Sequence, residues 1–202
     1  MGFFDIFNAP RPIGGEIAYH KLVEWWRDSL SETDRKRILE IFHPLGSAKD
    51  ALTEGKIVSS SESTLAFLSS LAGWFKKDGD RAIGYKILQQ AERYVQVTRS
   101  VLDIHFFYQE CIEMHYRDNL VEEHLIEAER ACRNQISMAK RSARAFKRDG
   151  LKQLPEHLGY RQLSIILEAR MAYKEALEIA RQAKSEGWSG DWETKIERYS
   201  KH

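Results

Sequence analysis

Apolar residues recur at three- and four-residue spacing along most of the chain, which is the pattern of amphipathic helices. The pattern is clearest from His157 to Ala183, where two apolar stripes follow one another. Their residues are Tyr160, Leu163, Ile166 and Leu167, then Tyr173, Ala176, Leu177, Ala180 and Ala183. Because small alanines let two helices approach closely, this stretch predicts an antiparallel helix hairpin.

The same spacing predicts further helices along the chain. They follow Gly15 and Ser31, cover 62–77, start at Arg81, and cover 101–117 and 120–147. Only four prolines are present, so long stretches remain free to be helical. We therefore predict an all-α fold with more than about 60% helix and no sheet beyond a short strand pair near Ile57 and Val58.

The longest stretch without a helical pattern is Leu45 to Ser61, and such loops often mark a boundary. Residues 1–60 are interpreted as an N-terminal arm, two helices and a long loop packed on the body. Residues 61–202 form the main helical region, and one continuous domain over 1–202 is the alternative. The arm carries Phe3, Phe4, Ile6 and Phe7. We expect it to dock on the body or on a second subunit, because these side chains avoid water.

Several residues of the hairpin fall on the marker positions of a known repeat: Tyr160, Leu163, Ser164, Leu167, Ala176 and Ala183. The stretch thereby resembles a tetratricopeptide repeat, a helix hairpin of about 34 residues that stacks into solenoids. Met171, Ala180 and Trp188 depart from it, standing where the repeat has glycine, a bulky residue and proline. The resemblance implies antiparallel hairpins stacked as a degenerate tetratricopeptide-like array.

The tail GWSGDW, Gly187 to Trp192, is similar to the ending of a set of bacterial helical proteins. One face of the short helix that follows is apolar and aromatic. Its residues are Trp188, Trp192, Ile196 and Tyr199. We predict that this terminal helix caps the open end of the array, which would otherwise leave an apolar face in water.

The overall composition limits which partners and which cellular compartment we expect. Lys and Arg total 31 against 30 Asp and Glu, so no overall charge draws the chain to nucleic acid or membrane. The two cysteines lie in helical patterns and provide no disulfide framework, which suits a reducing compartment. The start MGFFDIFNAPRP lacks the pattern of a secretory signal, and no long apolar run predicts a membrane span. We expect a cytoplasmic protein.

Charge is strongly segregated in the middle of the chain. From Glu110 to Arg130 there are seven acidic residues against two arginines, and from Arg133 to Lys152 seven basic residues against Asp149. A solvated helix with intrachain ion pairs, a docking surface for an acidic peptide or a second subunit, and a nucleic-acid site all fit such a pattern. The basic part lacks the interleaved aromatic residues typical of single-stranded nucleic-acid sites.

Candidate partner-binding residues come from the basic part and from the start of the hairpin: Arg141, Arg144, Lys147, Arg148, Arg161 and Gln162. Arg161 and Gln162 are included because of the resemblance. In peptide-binding tetratricopeptide domains, asparagines and lysines on the inner helix grip a carboxylate, whereas the corresponding positions here hold Arg161, Gln162 and Ile165.

Only Cys111, His115, His124 and Cys132 have metal-ligand side chains close together in sequence. His124 and Cys132 are about 12 Å apart along a helix, too far for one tetrahedral ion, so we expect no metal and no other cofactor. No Gly-rich phosphate loop, G-x-S-x-G or H-E-x-x-H motif occurs.

We therefore expect a non-catalytic helical-repeat module that binds a protein or peptide, with no nucleic-acid or membrane partner. A structural homo-oligomer, in the simplest case a homodimer, is the alternative. An enzyme with an unrecognised site is the third reading.

Overall fold

The computed structural model describes residues 12–46, 48 and 50–202. Of this part of the chain, 62% is helix and 3% is strand, which confirms the predicted all-α character. The predicted arm with Phe3, Phe4, Ile6 and Phe7 lies outside the described residues. Contacts divide the chain into two compact units, Met1–Thr64 and Leu65–His202.

The described residues of the first unit form three helices, α1 (Gly15–Tyr19), α2 (Val23–Asp28) and α3 (Glu32–Ile41). The sequence predicted one stripe over α1 and α2, but Lys21 adopts a φ of 58° and interrupts it. The amide of Leu22 donates to the carbonyl oxygen of Ile17 at 2.8 Å, a bond that closes a helix end. As predicted, α3 begins after Ser31, whose hydroxyl accepts from the amide of Asp34 at 3.1 Å.

The described part of the long loop after α3 is bonded to the start of α1. The amide of Ile17 donates to the carbonyl oxygen of Leu52 at 3.0 Å, and that of Gly15 to Gly55 at 2.9 Å. A Cβ on Gly15 would lie 2.2 Å from the carbonyl oxygen of Ala51, and its φ is 57°. Only glycine fits there, so the loop and the first helix depend on each other.

The second unit holds the other helices. They are α4 (Thr64–Gly73), α5 (Arg81–Glu92), α6 (Val101–Tyr116), α7 (Glu122–Ser137), α8 (Ala139–Arg148), α9 (Leu158–Ala169), α10 (Tyr173–Ser185) and α11 (Trp192–Tyr199). Among the described helices, none has both the length and the apolar character needed to cross a bilayer.

The single helix predicted over 120–147 is wrong, because the chain turns at Met138 between α7 and α8. Met138 has φ −104° and ψ 3°, outside helical geometry. Met138 and Ala139 are 6% and 1% exposed, so the turn is held by packing rather than by glycine or proline. It places the apolar side of α8 against α6.

The core of the second unit lies where α6 packs on α7, α7 on α9, and α9 on α10. Ala176, Ala180 and Ala183 of α10 are 0% exposed, as are Tyr160 and Leu163 of α9. The alanines therefore do what the sequence predicted and allow close helix contact. Burying a leucine side chain contributes about 1.5–3 kcal/mol, so apolar contacts of this kind stabilise most of the unit.

The strand pair lies elsewhere than predicted. Strands β1 (Leu154–Glu156) and β2 (Trp188–Ser189) pair in parallel, whereas Ile57 and Val58 are not in a strand and Val58 is 88% exposed. A strand needs a second strand to accept and donate its backbone hydrogen bonds. The local sequence near Val58 does not show whether such a strand lies beside it. The actual pair brings the tail back beside the segment that precedes α9.

The tail packs as predicted for all but one of its apolar residues. Trp188, Trp192 and Tyr199 are 3%, 2% and 1% exposed, while Ile196 is only half-buried. The indole nitrogen of Trp192 donates to the carbonyl oxygen of Trp188 at 2.8 Å. The hydroxyl of Tyr199 donates to Glu168 of α9 at 3.1 Å.

Candidate docking surface

Five cations form one face of α8, and we name it the basic face. It consists of Lys140, Arg141, Arg144, Lys147 and Arg148, all exposed. At 100° per residue these positions fall within about 120° of arc, and they span about 12 Å along the helix. The opposite side of α8 is buried and contains Ala139, Ser142, Ala145 and Phe146. The sequence predicted four of the five; Lys140 was not among the candidates.

Aromatic packing fixes α8 against the second unit. The ring of Phe146 lies edge-on to those of His105 at 5.3 Å, Phe106 at 6.0 Å and Trp188 at 6.1 Å. The helix ends where the amide of Leu151 donates to the carbonyl oxygen of Phe146 at 3.1 Å. The basic face is therefore carried on a rigid support.

None of the five cations is within ion-pair distance of an acidic group in the part of the chain that the structure describes. Elsewhere in the unit, several cations are paired, whereas others such as Arg117, Lys174 and Arg181 form no ion pair among the described residues. Arg81 bonds Asp118 at 2.6 Å, Arg130 bonds Glu92 at 2.6 Å, and Lys76 bonds Glu110 at 3.0 Å. What distinguishes α8 is that its five unpaired cations share one face of a single helix.

The acidic part of the segregated stretch is largely neutralised. Its paired members are Glu110, Glu113, Asp118, Glu127 and Glu129. Arg81, and then the hydroxyl of Tyr85, hold the pKa of Asp118 down at about 2. In the basic part, Arg133 is the only cation paired within the described residues, with Glu129 and Glu175. Among the described residues, intrachain pairing, one of the three interpretations of the sequence, therefore holds for five of the seven acids and fails for α8.

Arg161 and Gln162 lie on α9, away from α8 in sequence, and line a surface groove of about 310 Å³ with Arg117. Arg161 pairs with Glu156 at 2.9 Å. Gln162 is 6% exposed, and its amide nitrogen has no hydrogen-bond partner among the described residues. The groove contains none of the α8 cations, so the six predicted site residues belong to two surfaces.

A second cleft, of about 400 Å³, lies between α5, α6 and α7 and was not predicted. Tyr85, Tyr108 and Cys111 are among the residues that line it. Arg130 crosses its rim to Glu92 and Glu127, each at 2.6 Å. Three separate helices supply these residues, so no local sequence pattern points to the cleft.

The predicted Cys/His group is only partly brought together. The Nδ1 atoms of His115 and His124 are 3.0 Å apart, so one imidazole donates to the other. Burial, and then the nearby His124, lower the pKa of His115 to about 4. Burial raises the pKa of Cys132 to about 12 and that of Cys111 well above its usual value. Among the described residues, no group of three or more His, Cys, Asp or Glu could hold a metal ion.

We expect no stoichiometric zinc in protein purified without a chelator, because burial keeps both thiols protonated and leaves two imidazoles as the only adjacent ligands. Elemental analysis checks this. The control is the double change Cys111→Ser and His115→Ala. One zinc per chain in the original protein, lost in this variant, would contradict the expectation.

Another cluster of buried polar groups surrounds His105 and His157. Their rings are 5.1 Å apart, and Gln135 links the cluster by accepting from the amide of Gly159 at 2.7 Å. Nδ1 of His157 accepts from the amide of Tyr160 at 3.3 Å and so begins α9. The sequence contains a signal for this helix-capping role, because His157 directly precedes the first apolar stripe of the hairpin.

Lys195 and Ser164 are in contact and resemble a catalytic lysine–serine pair. The amine donates to the serine oxygen at 2.9 Å, and burial lowers the pKa of Lys195. Ser164 is 0% and Lys195 5% exposed, however, so no substrate reaches the hydroxyl. The pair joins α11 to α9.

The described residues define a helical protein whose most distinctive surface is an unpaired basic face on a rigid helix. Comparison of the chain with protein-family models, with curated proteins and with solved structures finds no match.

Proposed function

We propose that this chain is a non-catalytic interaction module, and that an acidic segment of a partner protein docks on the basic face of α8. The observation that carries the proposal is the absence of an ion-pair partner for all five α8 cations in the described residues, while most acids nearby are paired. Unpaired charges of one sign repel one another, and an acidic partner relieves that repulsion.

The helix arrangement supports a repeat-like scaffold for this role. Helices α6 and α7 pack together, as do α9 and α10, and α7 lies against α9. We propose that these pairs are degenerate tetratricopeptide-like hairpins, with α8 inserted between them and α11 as the cap. Solenoids of this kind present extended binding surfaces, which suits an elongated peptide.

A peptide fits the basic face better than a nucleic acid does. The exposed positions of α8 carry only cations and no aromatic side chain on which a base could stack. The groove beside Arg161 and Gln162 offers a further contact, because Arg117 is exposed there and the buried amide of Gln162 lacks a partner. A carboxylate side chain of the same segment suits these donors.

Charge reversal on α8 tests the proposal. We expect a fluorescent glutamate-rich peptide to bind at low salt, and Arg141→Glu with Arg144→Glu to weaken binding about tenfold or more, since two attractions become repulsions. Fluorescence anisotropy measures the affinity. Added salt should weaken binding because exposed charges are screened within about 10 Å at 0.1 M.

The matched control is Lys174→Glu with Arg181→Glu on α10, where both cations are also exposed. It alters net charge equally and should leave affinity nearly unchanged. Equal losses in both variants, or a single-stranded oligonucleotide that binds more tightly than the peptide, would contradict the proposed function.

A further inference from the structure

A second unpaired patch occurs at the turn from α6 to α7, and we name it the acidic turn. It consists of Leu120, Val121, Glu122, Glu123 and Ile126. Its apolar members are 98%, 47% and 51% exposed. Both glutamates are exposed and, among the described residues, form no ion pair. By contrast, the glutamates that follow them on α7 form ion pairs.

Two exposed apolar side chains lie close to α8, although not on the basic face itself. Phe106 is 48% exposed and contacts Phe146 of α8, and Leu151, just beyond the end of α8, is 40% exposed. Protein interfaces combine an apolar centre with complementary charge at the rim. The acidic turn exposes two anions and three apolar residues, and α8 exposes five cations, so the two surfaces are complementary in charge.

The two patches do not satisfy each other within one chain. The acidic turn includes the start of α7, which is 16 residues long, and the basic face follows the end of that helix. At 1.5 Å per residue this helix is about 24 Å long. Glu122 and Glu123 have no ion pair with any α8 cation. Complementary surfaces that cannot meet in one molecule can meet between two.

We propose that the acidic turn of one copy docks on the basic face of a second copy of this chain. An antiparallel two-fold pairing lets each copy supply both patches, so the contact is made twice and the assembly closes. This rests on the proposed function, since it names the acidic segment that α8 binds. The attraction is largely between exposed charges, so the dimer is salt-sensitive.

Light scattering of the full chain at low and high salt tests the pairing. We expect twice the monomer mass at low salt and the monomer mass at high salt. Glu122→Lys with Glu123→Lys, and separately Arg141→Glu with Arg144→Glu, should each give monomers at low salt. Glu178→Lys with Glu197→Lys changes two exposed acids outside the acidic turn and should still dimerise. A wild-type monomer at every salt and protein concentration overturns the proposal.

Crosslinking tests the contact itself. A mixture of one variant with Glu123→Cys and another with Arg144→Cys, treated with a short bismaleimide, should give a heterodimer at low salt. The native cysteines are buried and do not compete. Replacing Arg144→Cys by Lys174→Cys should abolish that product, and equal yields in both mixtures overturn the proposal. If the wild-type protein is monomeric yet binds the glutamate-rich peptide, only the self-pairing fails; if it does neither, the proposed function fails as well.

Discussion

Deletion of the tail from Gly187 onward is expected to lower the midpoint of thermal unfolding by roughly 10 °C and to promote aggregation. The deletion removes three aromatic residues that are nearly inaccessible, Trp188, Trp192 and Tyr199. It also uncovers the rings they contact, including Tyr160, whose ring lies 6.3 Å from that of Trp192. Apolar surface exposed in this way is prone to association.

The single change Trp192→Ala should have a similar but smaller effect. Replacing a buried tryptophan costs about 3–5 kcal/mol, and a domain's whole stability is about 5–15 kcal/mol. Ile196→Ala is the control on the same helix, because Ile196 is only half-buried and its loss should cost less. Calorimetry and light scattering on the three proteins check the order. If the truncated chain and the intact chain had the same midpoint of thermal unfolding, the tail would not stabilise the second unit.

Acidification from pH 6.5 to about 4 is expected to unfold the second unit. Burial lowers the pKa of His105 to about 4, and burial followed by the charge of His105 lowers that of His157 to about 3. Both histidines are neutral in the folded and unfolded states at pH 7. Below pH 6.5 the unfolded chain takes up protons that the folded state refuses, so stability falls with pH until the folded-state pKa is reached.

The magnitude is large because the two rings are nearly inaccessible, at 2% and 0% exposed. A pKa difference of one unit corresponds to about 1.36 kcal/mol, so each ring lowers the free energy of unfolding by about 3 kcal/mol at pH 4. Nδ1 of His105 and Nε2 of His157 have no hydrogen-bond partner among the described residues. The positive charge of a protonated ring would therefore be poorly stabilised in the fold.

Denaturant unfolding at several pH values measures the slope. The variant His105→Phe keeps an aromatic ring beside Phe146 and should show a shallower loss of stability below pH 6.5. His43→Phe, at an exposed position, is the matched control and should follow the wild type. An unfolding free energy that stays constant from pH 6.5 to 4.5 would mean that the buried rings accept protons without cost.

The sequence by itself determined most helix boundaries, because capping and periodicity are local. Ser31 and Ser100 were placed before helices and each accepts the amide of the residue three positions later. The turn at Asp118 and the buried alanines of α10 also follow from short-range pattern. A period of 3.6 residues requires no knowledge of the partner that covers the apolar face.

Only the tertiary structure decided where the chain breaks and which charges are neutralised. The turn at Met138 comes from packing of α8 on α6, and the parallel strand pair joins Leu154 to Trp188 across 34 residues. The sequence showed an acidic and a basic stretch side by side. In the structure, Glu110 pairs with Lys76, which follows α4, and not with a cation of α8. Ion pairing depends on distances between elements, and local pattern does not encode those distances. For the same reason the sequence named four cations of the basic face as candidates, but only the tertiary structure showed that all five lack ion-pair partners among the described residues.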